Sequence, residues 1–205
     1  MKSSKKQRLE IAALAAKILA LDEAANYHAA KKKAANQLGM PENKNLPTNI
    51  EIEEALLQYQ QLFQGDSRQQ QLLTQRQKAM QAMKLLAQYS PRLVGPLVSG
   101  TATGASEITL HLYSDHPEQV SLYLEENGIP NQYSEKHVRI NASDVNVFPA
   151  IKFIADGSQF LLVIFSAKDR NMNPISSITN RPMQSLNLES LGKLVDQQQA
   201  IDAGL

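Results

Sequence analysis

The feature that most constrains this chain is a change of hydrophobic period near Ser90-Pro91. Before it, apolar residues return every three or four positions, the spacing of one helix face; after it, they alternate, the spacing of one strand face. A chain that switches period once reads as a helical segment followed by a small mixed β-sheet, an α+β (α/β) protein. The expected division is residues 1–90, about three helices, and residues 91–205, an α/β domain. Composition shifts at the same place, from Ala, Gln, Leu and Lys to short runs rich in Val, Ile, Phe and Tyr.

In the first part, Ile11, Leu14, Ile18, Leu21 and Ala25 recur at helical spacing, and the pattern runs on to Leu38 before Gly39 and Pro41. This predicts one long helix, bent near Asn26. Thr48 or Asn49 is placed to cap a second helix with the stripe Ile52, Leu56, Tyr59 and Phe63, ended by Gly65. Asp66 or Ser67 then caps a third, which turns Leu72, Leu73, Met80, Met83 and Leu86 inward and exposes a glutamine-rich face. Tyr59, Phe63, Met80 and Met83 read as packing residues.

In the second part, Leu93 to Val98 reads as a buried strand. Ile108, Leu110 and Leu112 alternate with Glu107, Thr109, His111 and Tyr113, the mark of a strand with one apolar face. Pro117 and Gly128 bracket a short helix. A strand from Gln132 to Ile140 follows, then Ala150 to Ala155 and Phe160 to Phe165, joined through Asp156-Gly157 as a type I′ hairpin. Arg181-Pro182-Met183 lies in a loop that is an ordinary turn or a cleft wall, and Leu188 to about Gln199 forms the last helix.

Composition excludes several chemistries. The 205 residues contain no cysteine, so there is no disulfide framework, no thiol nucleophile and no cysteine-ligated metal. No window approaches the ~20 uncharged apolar residues of a membrane span. The basic start has no long apolar run behind it, since Lys17 and then Asp22-Glu23 interrupt, and a soluble cytoplasmic protein without a signal peptide is expected. The 21 basic and 20 acidic side chains nearly cancel but are unevenly placed. Residues 1–40 carry eight basic and three acidic groups, residues 93–205 seven and twelve.

The segment Leu93-Val94-Gly95-Pro96-Leu97-Val98-Ser99-Gly100, followed by Thr101-Ala102-Thr103-Gly104-Ala105-Ser106-Glu107-Ile108-Thr109-Leu110, resembles the signature of the nucleotidyltransferase superfamily, the polymerase-beta-like fold. That signature is a glycine-serine turn, a second glycine, then a serine and two carboxylates two residues apart on an apolar strand. Gly95 and Gly100 match the glycines, Ser106 the serine and Glu107 the first carboxylate. The likeness is good over residues 93–115, and the whole chain is similar to bacterial nucleotidyltransferase-like proteins of uncharacterised function. It implies that Gly95, Gly100, Thr101 and Ser106 are the phosphate- or nucleotide-binding candidates, and that Mg2+ and a nucleoside triphosphate are the candidate ligands.

The chain departs from the signature where chemistry is done. Pro96 replaces the serine and removes a hydroxyl and a backbone donor. Thr109 stands where the second carboxylate belongs, and the strand Phe160 to Phe165, where a third is expected, has none. Two-metal transfer needs clustered carboxylates. The expectation is therefore a catalytically inactive nucleotidyltransferase-like binding or regulatory module that keeps some nucleotide affinity. One alternative is a divergent active enzyme with Glu107 as its catalytic candidate, helped by His111 or Asp115; Glu107 and His111 would then be the metal-binding candidates. The other is an adaptor for protein or nucleic acid through the basic helical segment, with Lys2, Lys5, Lys6, Arg8 and the triplet Lys31, Lys32, Lys33 contacting phosphates. A protein partner is favoured over nucleic acid, because no aromatic side chains interleave with those cations, Tyr27 and His28 being the nearest. An oligomer is compatible with either reading.

Overall fold

A computed structural model describes residues 4–24, 26–40, 46–63, 65–141, 144–176 and 178–202. Lys2, Ala25, Pro41 and the side chain of Asp66, all invoked above, lie outside the described residues. The protein is α+β, with seven helices and a six-stranded mixed sheet among the described residues and a helical region first. It divides into two compact units, Met1–Gln71 with Gly100–Ala105, and Leu72–Ser99 with Ser106–Leu205. The period change near residue 90 marks a change of secondary structure, whereas the compact units part earlier, inside a helix.

The helical unit contains α1 (Ser4–Ala20), α2 (Tyr27–Gln37), α3 (Asn49–Phe63) and the start of α4 (Gly65–Leu85). The expected single long helix is two helices, so the segment before residue 90 holds four rather than three. Asp22 takes a left-handed conformation (φ 55°). Its N–H bonds the Leu19 carbonyl and the Glu23 N–H bonds the Ile18 carbonyl, each within 3.0 Å, which closes the end of α1. Asn26 then caps α2 by accepting the Ala29 N–H at 2.9 Å. Because an aspartate takes the place usually held by glycine, no glycine stop signal marks the end of α1. Gly39 (φ 61°) ends α2 in the usual way.

At the start of α3, Thr48 and Glu51 form a capping box. The Thr48 N–H and hydroxyl donate to Glu51 Oε2 at 2.8 and 3.0 Å, and the Glu51 N–H donates back at 3.2 Å. Burial raises the Glu51 carboxyl, but these bonds and Arg8 at 2.9 Å outweigh it and hold the group below its ordinary range. The core of this unit is Ile11, Ala15, Ile18, Ala34, Ile52 and Leu56. Leu21 and Phe63 are exposed instead of lying on the buried stripes, since Leu21 follows the last residue of α1 and Phe63 is the last of α3.

The sheet unit carries β1 (Arg92–Val94), α5 (Pro96–Ser99), β2 (Ile108–Tyr113), α6 (Pro117–Glu126), β3 (Asn131–Arg139), β4 (Val145–Ala155), β5 (Ser158–Phe165), β6 (Ser185–Leu186) and α7 (Leu188–Asp202). The strand order is β3-β4-β5-β2-β1-β6, antiparallel except for the parallel pair β2 and β5. The expected strand Leu93 to Val98 stops at Val94. Gly95 (φ 82°) turns the chain, Pro96 begins α5, and the Val98 and Ser99 N–H groups bond the Gly95 carbonyl. Arg76 of α4, nearly buried, places Nε and Nη2 on the Leu97 carbonyl at 3.1 and 3.0 Å.

Asp156 (φ 48°) and Gly157 (φ 71°) both take the positive φ of a type I′ turn and join β4 to β5 as expected. β2 is buried on both faces, not one. Ile108, Leu110 and Leu112 fill one side, and on the other Tyr113 packs with Leu161, Val163 and Phe165 of β5.

Over the second face runs a strap, residues 166–176 and 178–184, tied at its start and middle, with Met172 packed against the cluster of Tyr113 and Phe165. Asp115 accepts the Ser166 hydroxyl at 2.5 Å and the Ala167 N–H at 3.1 Å, fixing a 3-10 turn at Ala167–Asn171. The Ile175 N–H bonds the Arg139 carbonyl at 2.7 Å, and Arg139 Nη1 donates to Asn180 Oδ1 at 3.0 Å.

Candidate functional site

The positions singled out by the sequence do not share one compact unit. Gly100 and Thr101 belong to the helical unit, and Gly95, Ser106, Glu107 and His111 to the sheet unit. Within the helical unit the Gly100 carbonyl accepts the Arg68 guanidinium. Thr101 is 2% exposed and its hydroxyl donates to Glu53 Oε1 at 3.5 Å. Thr101 also bonds Tyr27, whose hydroxyl is pushed up to about 12 by burial and by the Glu53 charge, against the opposing effect of that bond. The Ala105 N–H donates to Asp22 Oδ1 at 3.3 Å. Two donors of this segment, the Thr101 hydroxyl and the Ala105 N–H, are thus engaged by the carboxylates Glu53 and Asp22, while the Gly100 carbonyl faces Arg68.

In the sheet unit Gly95 serves the turn into α5. Ser106 and Glu107 precede β2, and Glu107 lines an open cavity of about 540 Å³ with Gln132, Lys152, Gln159 and Phe160. It is the one carboxylate among the described lining residues, and Lys152 shares the space.

Thr109 and His111 fall on one side of β2, and Glu107 stands just before the strand; four extended residues separate Glu107 from His111 by about 13 Å along the backbone. The structure therefore does not bring this pair onto one metal ion. His111 is 5% exposed with its ring 4.8 Å from that of Phe165. Burial lowers its pKa to about 4, so at neutral pH it is an uncharged packing residue. Among the described residues no cluster of three or more histidines or carboxylates is placed to hold a metal.

The parallel register sets Thr109 opposite Leu161, His111 opposite Val163 and Tyr113 opposite Phe165. Opposite Thr109, His111 and Tyr113, β5 thus offers only hydrocarbon. Asp115, the other proposed helper, is engaged by Ser166 and Ala167, and those bonds lower its pKa.

The basic triplet on α2 is divided. Lys33 Nζ pairs with Glu23 at 2.7 Å, and Lys31 approaches Asn49 Oδ1 at 3.4 Å with its pKa lowered by burial. Lys32 is exposed. Three neighbouring lysines with three different surroundings do not form an even phosphate-binding surface.

One site was not found by sequence reasoning. On the second face of the sheet, beneath the strap, lies a cavity of about 230 Å³ lined by Arg92, His111, Tyr113, Arg170, Met172 and Met183, among others. Met183 does line this cleft; its neighbour Arg181 is exposed and outside the lining. Arg92 is opposite His111 in the antiparallel pair of β1 and β2, which places its side chain on the same face. The alternation at Ile108 to Leu112 identified this face as the less apolar one, but nothing local foretold that Arg170, seventy-eight residues after Arg92, returns to it.

No protein family model matches the chain, and no curated protein is significantly similar to it.

Proposed function

We propose that this chain is a binding or regulatory module on a nucleotidyltransferase-like sheet that does not catalyse transfer. The observation that carries the reading is the pairing of Thr109 with Leu161. Where transfer would require two further carboxylates around Glu107, the strand has a hydroxyl and its neighbour an isobutyl group. Support for the nucleotidyltransferase relation is the run Gly95 to Leu110 and an order of elements compatible with it, a short strand, a glycine turn into a helix, and an antiparallel strand that begins after Glu107. The divergent-enzyme alternative needs His111 or Asp115 beside Glu107. The first is packed against Phe165, and the second holds the start of the strap.

The absence of cysteine accords with a cytoplasmic, reducing setting. Among the described residues no helix is long and apolar enough to cross a membrane. The module is expected to act through a protein partner, with any nucleotide affinity weak and independent of Glu107.

Calorimetric titration of the four nucleoside triphosphates, with and without magnesium, into wild type and Glu107→Ala tests the reading. The expected result is no magnesium-dependent heat that the substitution removes. Magnesium-dependent binding lost in Glu107→Ala would overturn it.

A further inference from the structure

The cavity under the strap is rich in hydrogen-bond donors. Arg92 and Arg170 bring two guanidinium groups to it, Tyr113 a hydroxyl, Asn171 and Asn173 amides and Ser185 a hydroxyl. No aspartate or glutamate is among the described lining residues, and neither arginine is ion-paired with a described carboxylate. Glu189 lines an adjoining cavity that shares Arg92, Tyr113 and Arg170, and it is paired with Lys193 at 2.6 Å.

Val94, Met172, Met183 and the uncharged His111 supply the apolar or neutral part of the lining. Arg92 is partly buried and Arg170 exposed, and two guanidiniums without a paired carboxylate give the cavity a positive potential. Tyr113 registers that field, since burial raises its pKa while both arginines oppose the rise, Arg92 also by a hydrogen bond.

We infer that the cavity formed by Arg92, Tyr113 and Arg170 under the strap is a binding site for a small oxyanion. The planar guanidinium fork matches carboxylate and phosphate oxygens two at a time. With about 230 Å³ of space, the site lies below the roughly 300–1,000 Å³ of pockets that hold drug-sized ligands, so the occupant is small. Inorganic phosphate, the phosphate end of a small ester and a short dicarboxylate share this chemistry. The site is distinct from the cavity that Glu107 lines: Val94 belongs to both it and the motif segment, but its donors Arg92, Tyr113 and Arg170 lie outside Leu93 to Leu110. The inference therefore stands or fails independently of the proposed loss of transferase chemistry.

The experiment is calorimetric titration of inorganic phosphate, glycerol phosphate and succinate into the full chain at low ionic strength, with sodium chloride as the control. Wild type is compared with Arg170→Ala, an exposed position whose loss leaves the sheet intact, with Arg92→Gln, and with Arg181→Ala, on the same strap but outside the cavity. The expected result is one-to-one binding of at least one of the three anions, weakened about tenfold or more in Arg170→Ala and Arg92→Gln, equivalent to about 1.4 kcal/mol or more, and unchanged in Arg181→Ala. Binding of phosphate and glycerol phosphate alone identifies a phosphate site, and binding of succinate alone a carboxylate site. No heat from any of the three, or heat that Arg170→Ala does not alter, overturns the inference.

Discussion

Thr109 of β2 stands opposite Leu161 of β5 in the parallel pair at the middle of the sheet. Leu161 is 2% exposed and belongs to the apolar cluster of Tyr113, Val163 and Phe165. Where the proposed nucleotidyltransferase relation expects a carboxylate, β5 has a core side chain. Leu161→Asp, which puts an acid on this strand, is expected to lower unfolding stability by about 3–5 kcal/mol, because it buries a charge without a partner. Urea unfolding monitored by circular dichroism checks this; a loss below about 1 kcal/mol would mean the position tolerates a charge.

His111 makes stability depend on pH. Its folded pKa is about 4 because burial disfavours the charged ring, while the unfolded side chain titrates near 6.5. The folded pKa is depressed, so the unfolded state binds the proton first. The contribution is fully present above about pH 6.5, falls as pH drops toward 4, and levels off below, with a total on the order of 3 kcal/mol. Asp115, Glu23 and Glu51 are also held below their ordinary values and lose stabilisation as pH falls, so they act in the same direction. A comparison with His111→Phe, which retains a ring against Phe165, isolates the histidine: unfolding free energy between pH 7.5 and 4 should fall more steeply in wild type. Parallel curves would show that His111 is solvated.

Asp115 anchors the strap through Ser166 and Ala167. Asp115→Ala is expected to accelerate amide hydrogen exchange at Ala167 and through the turn to Asn171, leaving β2 and β5 protected. Because that turn presents Arg170, the same substitution should also weaken oxyanion binding. Unchanged exchange at Ala167 would show that the strap is held elsewhere, at Arg139 and Ile175.

Much of the sheet was legible because its signals are local. Asp156-Gly157 supplied both positive-φ residues of the hairpin, Pro117 and Gly128 bracketed α6, and Thr48, one of the two residues offered as a cap, caps α3. The signals that failed were local ones overridden by backbone geometry. Asp22 ended α1 without a glycine, and Gly95 turned the apolar run Leu93 to Val98 from one strand into a strand and a helix. The covered second face of β2 was invisible because it depends on the strap, whose contacts join residues tens of positions apart. Of the candidate site, the sequence showed that Thr109 and Phe160 to Phe165 carry no carboxylate, which depends only on residue identity. It could not supply Arg92 with Arg170, nor the separation of Glu107 from His111, because both depend on strand register and rise.

The central claim is that this sheet does not transfer nucleotides. Its most direct test is pyrophosphate release from each nucleoside triphosphate, with magnesium and with manganese, measured for wild type and Glu107→Ala alongside label transfer from the α-phosphate to the chain itself and to mixed small-molecule acceptors. The account predicts background release in both proteins and no labelled product. Release or label transfer above background that Glu107→Ala abolishes would contradict it.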